Sequence, residues 1–275
     1  MLPVFLKQPF LDMASTVWAM PEEQWIEDSP ILRDTLLLEK EALGESTIDE
    51  KNLREEMIQK WKLGEVTLRV KELPGRTRLV FLGTDSQWKE IPWRFWSRIL
   101  QAIGHPIGHI LFYAHSLQRE FPSNSTDTIK ASNINAGYSY LCQQSLVVIY
   151  RFEEATRVLL HELLHTACFD KEKSIVFLEA STEAWTELLL CALLSKGSLS
   201  KFNHLWKKQC TWIKAQTKLL QDSYNVKDPS DYAWRYTVGK QDILESMGYM
   251  ETCKVYTGSI GLRFTTPEWE TEMKD

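Results

Sequence analysis

Residues 158–170, VLLHELLHTACFD, constrain the fold more than any other part of this 275-residue chain. The leucines recur at helical spacing, so the segment predicts a largely buried helix. His161 and His165 are four residues apart and share one face of that helix, and Glu162 follows the first histidine. Polar groups in so apolar a helix need partners. The alternative is an ordinary buried helix that happens to carry two histidines.

The spacing of these three residues suits a zinc ion. Two imidazoles one helical turn apart can bind the same ion, and a glutamate beside them can contact a water on it. Zinc lowers the pKa of such a water and polarises a carbonyl, while the glutamate takes the proton. The sequence therefore predicts Zn²⁺ bound by His161 and His165, with Glu162 as the general base.

A zinc site of this kind needs a third protein ligand, and the next predicted helix offers carboxylates. Its segment EASTEAWTE places Glu179, Glu183 and Glu187 four residues apart on one face of an otherwise apolar helix. Burying three carboxylates is costly unless cations or donors lie nearby, and a metal with two histidines would provide them. The alternative is a solvated acidic stripe on an amphipathic helix.

The pairing of the two helices predicts which glutamate binds. If they form an antiparallel pair around a turn near residues 171 and 172, Glu179 lies level with the histidines and Glu183 lies level with the start of HELLH. Metal-bound histidines commonly donate their far nitrogen to a carboxylate. We predict Glu179 as the third ligand and Glu183 as the partner of His161, with the reverse assignment open. Asp170 either bonds to the site, caps the helix or is a plain loop acid.

HELLH followed by EASTE resembles the gluzincin group of zincin metallopeptidases, in which HExxH precedes a glutamate ligand and an acidic residue four positions later. The resemblance implies a zincin-like fold and peptidase activity. It also implies an antiparallel edge strand before the active-site helix, to which substrate adds, and SLVVIYRF at residues 145–152 is in that position. The run 133–195 further resembles zincin-like proteins encoded by large DNA viruses of protists and algae.

Zincins also need a group that stabilises the oxyanion, usually from the C-terminal half of the domain. The segment DYAWRYTVGK offers Tyr232 and Tyr236 on one face of a predicted helix, and Arg235 beside them to hold a substrate carboxylate. We predict these three as catalytic residues. An aromatic core helix explains the same letters.

The remaining patterns predict an α+β fold. Residues 1–62 are predicted to form a helical N-terminal extension, and residues 63–275 a zincin-like domain. Alternation around Pro74 and Gly75 predicts a β-hairpin, and further short strands precede HELLH. We therefore expect a small antiparallel sheet before the active-site helix and a mostly helical C-terminal half.

Composition and charge limit the kinds of partner that the protein is expected to bind and the compartment in which it is expected to occur. A net charge of −5 and a pI near 5.8 argue against nucleic acid, and no apolar run approaches the length of a membrane span. The five cysteines form no CxxC motif, which predicts free thiols and a reducing intracellular compartment. If the protein is viral, that compartment is the cytoplasm of the host cell or the virion. They are Cys142, Cys168, Cys191, Cys210 and Cys253.

Three functions remain in view at this point. The first is a zinc metallopeptidase that hydrolyses a peptide or isopeptide bond of a peptide or protein substrate. The second is a structural or interaction protein, such as a virion component, that zinc stabilises without turnover; it has no use for Glu162. The third is a helical scaffold without zinc.

Overall fold

Six strands form one mixed, open sheet with helices on both of its faces. The computed structural model describes residues 4–44, 48–124, 127–169, 174–250, 256 and 258–273. The strands are β1 (Ile26–Asp28), β2 (Thr67–Leu73), β3 (Thr77–Gly83), β4 (His109–Tyr113), β5 (Gly137–Ser139) and β6 (Leu146–Ile149). The predicted α+β class is confirmed.

Helices make up most of the described chain. The first six are α1 (Val4–Ala19), α2 (Leu32–Leu43), α3 (Leu53–Lys62), α4 (Asp85–Glu90), α5 (Trp93–Ile103) and α6 (Ala131–Ile134). The others are α7 (Ala155–Thr166), α8 (Ile175–Ser195), α9 (Leu199–Tyr224), α10 (Val238–Ser246) and α11 (Glu268–Met273). A 3-10 helix spans Tyr232–Tyr236. No helix in the described ranges is long and apolar enough to cross a membrane.

The strand order is β1-β2-β3-β4-β6-β5, which differs in part from the predicted antiparallel sheet. The predicted hairpin is β2 and β3, paired antiparallel from Thr67 opposite Gly83 to Leu73 opposite Thr77. Strands β3, β4 and β6 run parallel to one another. They do so because helices intervene between β3 and β4, so the chain returns to the same end of the sheet before each strand starts.

The central strands are apolar along their whole length because both faces of the sheet are covered. In β4, Ile110 and Phe112 join the core on one face, whereas Leu111 and Tyr113 join the core on the other. The first core contains side chains from α1, α5, α7, α8 and α9. The second contains side chains from α2 and α3.

The first 62 residues take part in both cores. Helix α1 packs against α5 and α8, β1 pairs with β2, and α2 and α3 cover the second face of the sheet. This segment therefore adds the strand β1 to its predicted helices. The boundary predicted after residue 62 stays a prediction.

The cysteines depart from the prediction of free thiols. Cys142 and Cys168 form a disulfide, with their Cα atoms 4.7 Å apart. The loop after β5 passes the end of α7, where Cys142 N donates to His165 O at 2.9 Å. The prediction is thus wrong for this pair, because the fold brings together two residues that are distant along the chain. Cys191 and Cys210 are buried and take no part in this disulfide, and Cys253 lies outside the described residues.

Candidate metal centre

All 12 residues of helix α7 are buried, so packing holds the helix in place. The carboxylate of Glu154 also holds the start of the helix. Glu154 precedes the helix and accepts hydrogen bonds from Phe264 N at 2.9 Å and Thr265 N at 2.8 Å. Arg119 pairs with the same carboxylate at 2.9 Å. These contacts hold the C-terminal segment, at Phe264 and Thr265, against the beginning of the helix that carries HELLH.

The structure brings His161, His165 and Glu179 together. The two Nε2 atoms are 3.1 Å apart, and Glu179 Oε2 lies 3.3 Å from that of His161 and 3.6 Å from that of His165. Ligand atoms around one tetrahedral zinc, about 2.0–2.2 Å from the ion, are separated from one another by about 3.3–3.6 Å. The nitrogen and oxygen donors therefore fit a single zinc-sized cation.

Glu183 lies on the opposite side of His161 from Glu179. Its Oε1 is 3.1 Å from Nδ1 of the ring, as α7 and α8 run antiparallel and Glu183 is one turn further along α8. A proton on Nδ1 leaves the lone pair of Nε2 facing the other donors. The geometry thus puts Glu179 among the ligand atoms and Glu183 at the far nitrogen.

The charges of this group reinforce one another. Burial lowers the pKa of His161, but the neighbouring Glu183 and Glu179 outweigh it and bring the pKa to about 10. Burial likewise opposes ionisation of Glu179, but hydrogen bonds from His161 and His165 hold its pKa at about 2. Glu179 is therefore an ionised carboxylate whose described partners are imidazoles.

The third glutamate of the stripe, Glu187, is part of a buried ion cluster instead. Lys240 Nζ lies 2.9 Å from its Oε1, Arg157 Nη2 lies 3.2 Å from the same atom, and Gln209 donates to Oε2 at 2.9 Å. Arg157 also pairs with Glu183. Sequence reasoning missed these partners. Arg157 was detectable, since it lies four residues before His161 on the same helical face, whereas Lys240 gave no local signal.

Glu162 faces the same cavity as the metal-site residues and is held by β5. Ser139 Oγ donates to its Oε2 at 2.9 Å. Burial raises the pKa of Glu162, and the two histidines oppose that rise. The close approach of β5 requires Gly137, because a Cβ there would lie 2.6 Å from Val158 Cγ1 and 2.7 Å from Val148 O.

The strand at the edge of the sheet is not the one that was predicted. SLVVIYRF supplies β6, which lies inside the sheet between β4 and β5. The edge strand next to α7 is β5, from the preceding segment. The prediction was wrong because a continuous apolar run indicates a strand covered on both faces, but it does not show whether both of its hydrogen-bonding edges are paired.

Tyr232, Arg235 and Tyr236 line one wall of this cavity, which has a volume of about 310 Å³. They lie on the 3-10 helix, which packs against α8, and not on the predicted long α-helix. The hydroxyls of Tyr232 and Tyr236 are 3.3 Å apart, and that of Tyr232 donates to Asn135 Oδ1 at 2.8 Å. Burial raises the pKa of both tyrosines, so both stay protonated and can donate.

The predicted role of Asp170 falls outside the described residues. His165 Nδ1 is buried and has no hydrogen-bond partner among the residues that are described.

No protein-family model, no curated protein and no solved structure matches this chain significantly.

Proposed function

We propose that the protein is a zinc-dependent peptidase that hydrolyses a peptide or isopeptide bond. One observation carries the proposal: His161, His165 and Glu179 present three ligand atoms within 4.8 Å of one another in a cavity that Glu162 also lines. A metal site that serves only stability has no need of an additional carboxylate or of an open cavity beside it.

The donor set suits zinc by its chemistry. Two neutral imidazoles and one carboxylate are the three protein ligands of many catalytic zinc sites. A bound zinc would supply a Lewis acid that polarises the scissile carbonyl and lowers the pKa of the attacking water. Glu183 would keep His161 oriented, with its Nε2 lone pair toward the ion.

Glu162 would act as the general base and then as the general acid. Its carboxylate accepts a proton from the attacking water and returns it to the leaving nitrogen when the C–N bond breaks. Ser139 fixes the orientation of the carboxylate through Oε2. A buried carboxyl with a raised pKa is suited to both steps, since it gives up the proton less readily to solvent.

The remaining wall would bind the substrate. The hydroxyls of Tyr232 and Tyr236 can stabilise negative charge on the carbonyl oxygen as the tetrahedral species forms, once the Tyr232 proton turns from Asn135 Oδ1 toward that oxygen. The edge strand β5, whose residues line the same cavity, can pair with an extended peptide.

The test compares the wild-type protein with the Glu162→Gln variant. Each protein is purified without metal, given zinc, and analysed for zinc content, thermal unfolding and cleavage of a proteome-derived peptide library. We expect about one zinc per chain in both proteins, as a three-ligand site requires. We also expect a loss of hydrolysis of about 10²–10⁴-fold in the variant, because the amide cannot accept the proton.

Two controls distinguish a loss of catalysis from a loss of folding. Glu65→Gln, a change at an exposed glutamate, should leave cleavage and zinc content unchanged, and chelator should abolish cleavage by the wild type. Equal cleavage by wild type and Glu162→Gln would remove Glu162 from the mechanism. A wild-type zinc content near zero would overturn the zinc assignment itself.

A further inference from the structure

Arg235 is a partly buried cation in the wall of the candidate active-site cavity. Its guanidinium carbon lies 4.8 Å from the centroid of the Tyr232 ring. Its Nε is buried and has no hydrogen-bond partner within the described part of the chain. The ring covers one face of the guanidinium, so the N–H groups in its plane remain available to another group.

The other arginines that line this cavity are neutralised by the protein. Arg119 pairs with Glu154 at 2.9 Å and donates to Ile134 O at 2.6 Å. Arg157 pairs with Glu183 and with Glu187. Among the residues that the structure describes, no carboxylate pairs with Arg235, so it carries the unbalanced positive charge of this wall.

A guanidinium in such a position favours a particular kind of ligand. Removing it from water is costly unless an anion or several acceptors replace the hydration. Its planar fork matches a carboxylate, with which it can form two parallel hydrogen bonds. Arg235 lies against the ring of Tyr232, and the Tyr232 hydroxyl lies 3.3 Å from that of Tyr236. Arg235 is therefore next to the two tyrosines that are proposed to contact the reacting carbonyl.

We propose that Arg235 binds a carboxylate of the substrate and so makes the cleft selective for peptides that carry one near the scissile bond. The carboxylate is either the C-terminus of the peptide or the side chain of an aspartate or glutamate. This inference rests on the proposed peptidase function, and Arg235 is a specificity-determining residue in it.

A binding assay tests the role of Arg235 without requiring that the protein cleave the peptide. The full-length Glu162→Gln protein, supplied with zinc, is immobilised and incubated with four randomised hexapeptide pools. The pools have a free or an amidated C-terminus, each with or without aspartate and glutamate. Retention is quantified by mass spectrometry for this protein and for the same protein carrying Arg235→Met, Arg235→Lys or Arg33→Met. Arg33 is an exposed arginine on α2 and serves as the matched control.

We expect Arg235→Met to reduce retention of the preferred pool about 10- to 100-fold, the effect of a hydrogen bond to a charged group. Arg235→Lys should restore part of it, and Arg33→Met should change nothing. Loss on amidation assigns the carboxylate to the C-terminus, and loss in the pools without acidic residues assigns it to a side chain.

Equal retention of all four pools by folded proteins with and without Arg235 overturns the inference, as does retention of no pool by any of them. Thermal melts verify the fold of each variant. Should Arg235→Met not fold, the Arg235→Lys protein decides by the same comparison, because lysine keeps the charge but lacks the planar fork. A wild-type protein that cleaves nothing contradicts the proposed function, whereas Arg235-dependent retention would still be seen if the carboxylate subsite exists.

Discussion

The two ends of the glutamate stripe on α8 differ in what neutralises them. Glu187 is fully buried, and its carboxylate is shared by Lys240, Arg157 and Gln209. Glu179, two turns earlier, has a side chain that is 17% exposed, and its described partners are His161 and His165. The residue type and the helix are the same, but one carboxylate is saturated by fixed cations of the protein and the other is directed at two imidazoles and a cavity.

The difference shows how a buried acidic helix can serve two purposes. Where fixed cations surround a carboxylate, it holds helices together and is closed to a metal. Where imidazoles surround it, a divalent ion can displace their protons and complete the donor set. Glu183 lies between these cases, since it contacts both His161 and Arg157. Identical Glu→Gln substitutions along the stripe test this comparison.

Glu187→Gln should have the largest effect, and the effect should be on folding. Removing one partner of a buried ion pair leaves Lys240 and Arg157 with an incomplete set of acceptors, which costs about 3–5 kcal/mol. Urea unfolding of the metal-free protein should report this loss. The zinc affinity of the folded variant should stay near the wild-type value. A loss below about 1 kcal/mol would contradict the structural role assigned to this cluster.

Glu179→Gln should instead act on the metal. Loss of a charged ligand should weaken zinc binding by more than the roughly 100-fold upper limit expected for residues that only orient a ligand. The stabilisation of the wild type by added zinc, about 2.7 kcal/mol at 100 times its Kd, should disappear at the same zinc concentration. Competition with a chromophoric chelator measures the affinity. An unchanged affinity would show that Glu179 is not a ligand.

Glu183→Gln should be intermediate for zinc. A residue that orients a ligand histidine contributes about 10–100-fold to metal affinity. Because Glu183 also pairs with Arg157, the metal-free variant should in addition be less stable than wild type. Both quantities come from the same titrations. If Glu183→Gln empties the site while Glu179→Gln leaves it filled, the two roles are reversed.

The smallest effect should come from an ion pair outside the buried layers. Lys218 and Asp222 are one turn apart on α9, with their nitrogen and oxygen 2.7 Å apart. Their side chains are 77% and 60% exposed, so solvent screens the attraction. Lys218→Ala should change the free energy of unfolding by about 0.5 kcal/mol or less. A loss as large as that of Glu187→Gln would show that burial does not explain the contrast along α8.

Local patterns predicted much of the fold. The β2–β3 hairpin, for example, follows from the alternation around Pro74 and Gly75. Pairings between distant segments were not predictable in this way. The parallel central strands, the inner position of β6 and the Cys142–Cys168 disulfide all depend on which segments meet after the chain has folded.

The sequence by itself determined that His161 and His165 share a helical face, that Glu162 lies beside them and that three glutamates line the next helix, because helical periodicity is a local property. Only the tertiary structure decided what surrounds each glutamate. Lys240 reaches Glu187 across 53 residues, and Arg157 reaches it across 30. The free energy of a buried carboxylate is set by charges within a few ångströms in space, wherever they lie along the chain. The spacing therefore predicted that Glu179 lies level with the histidines, but it could not show that Glu187 is held by Lys240 and Arg157.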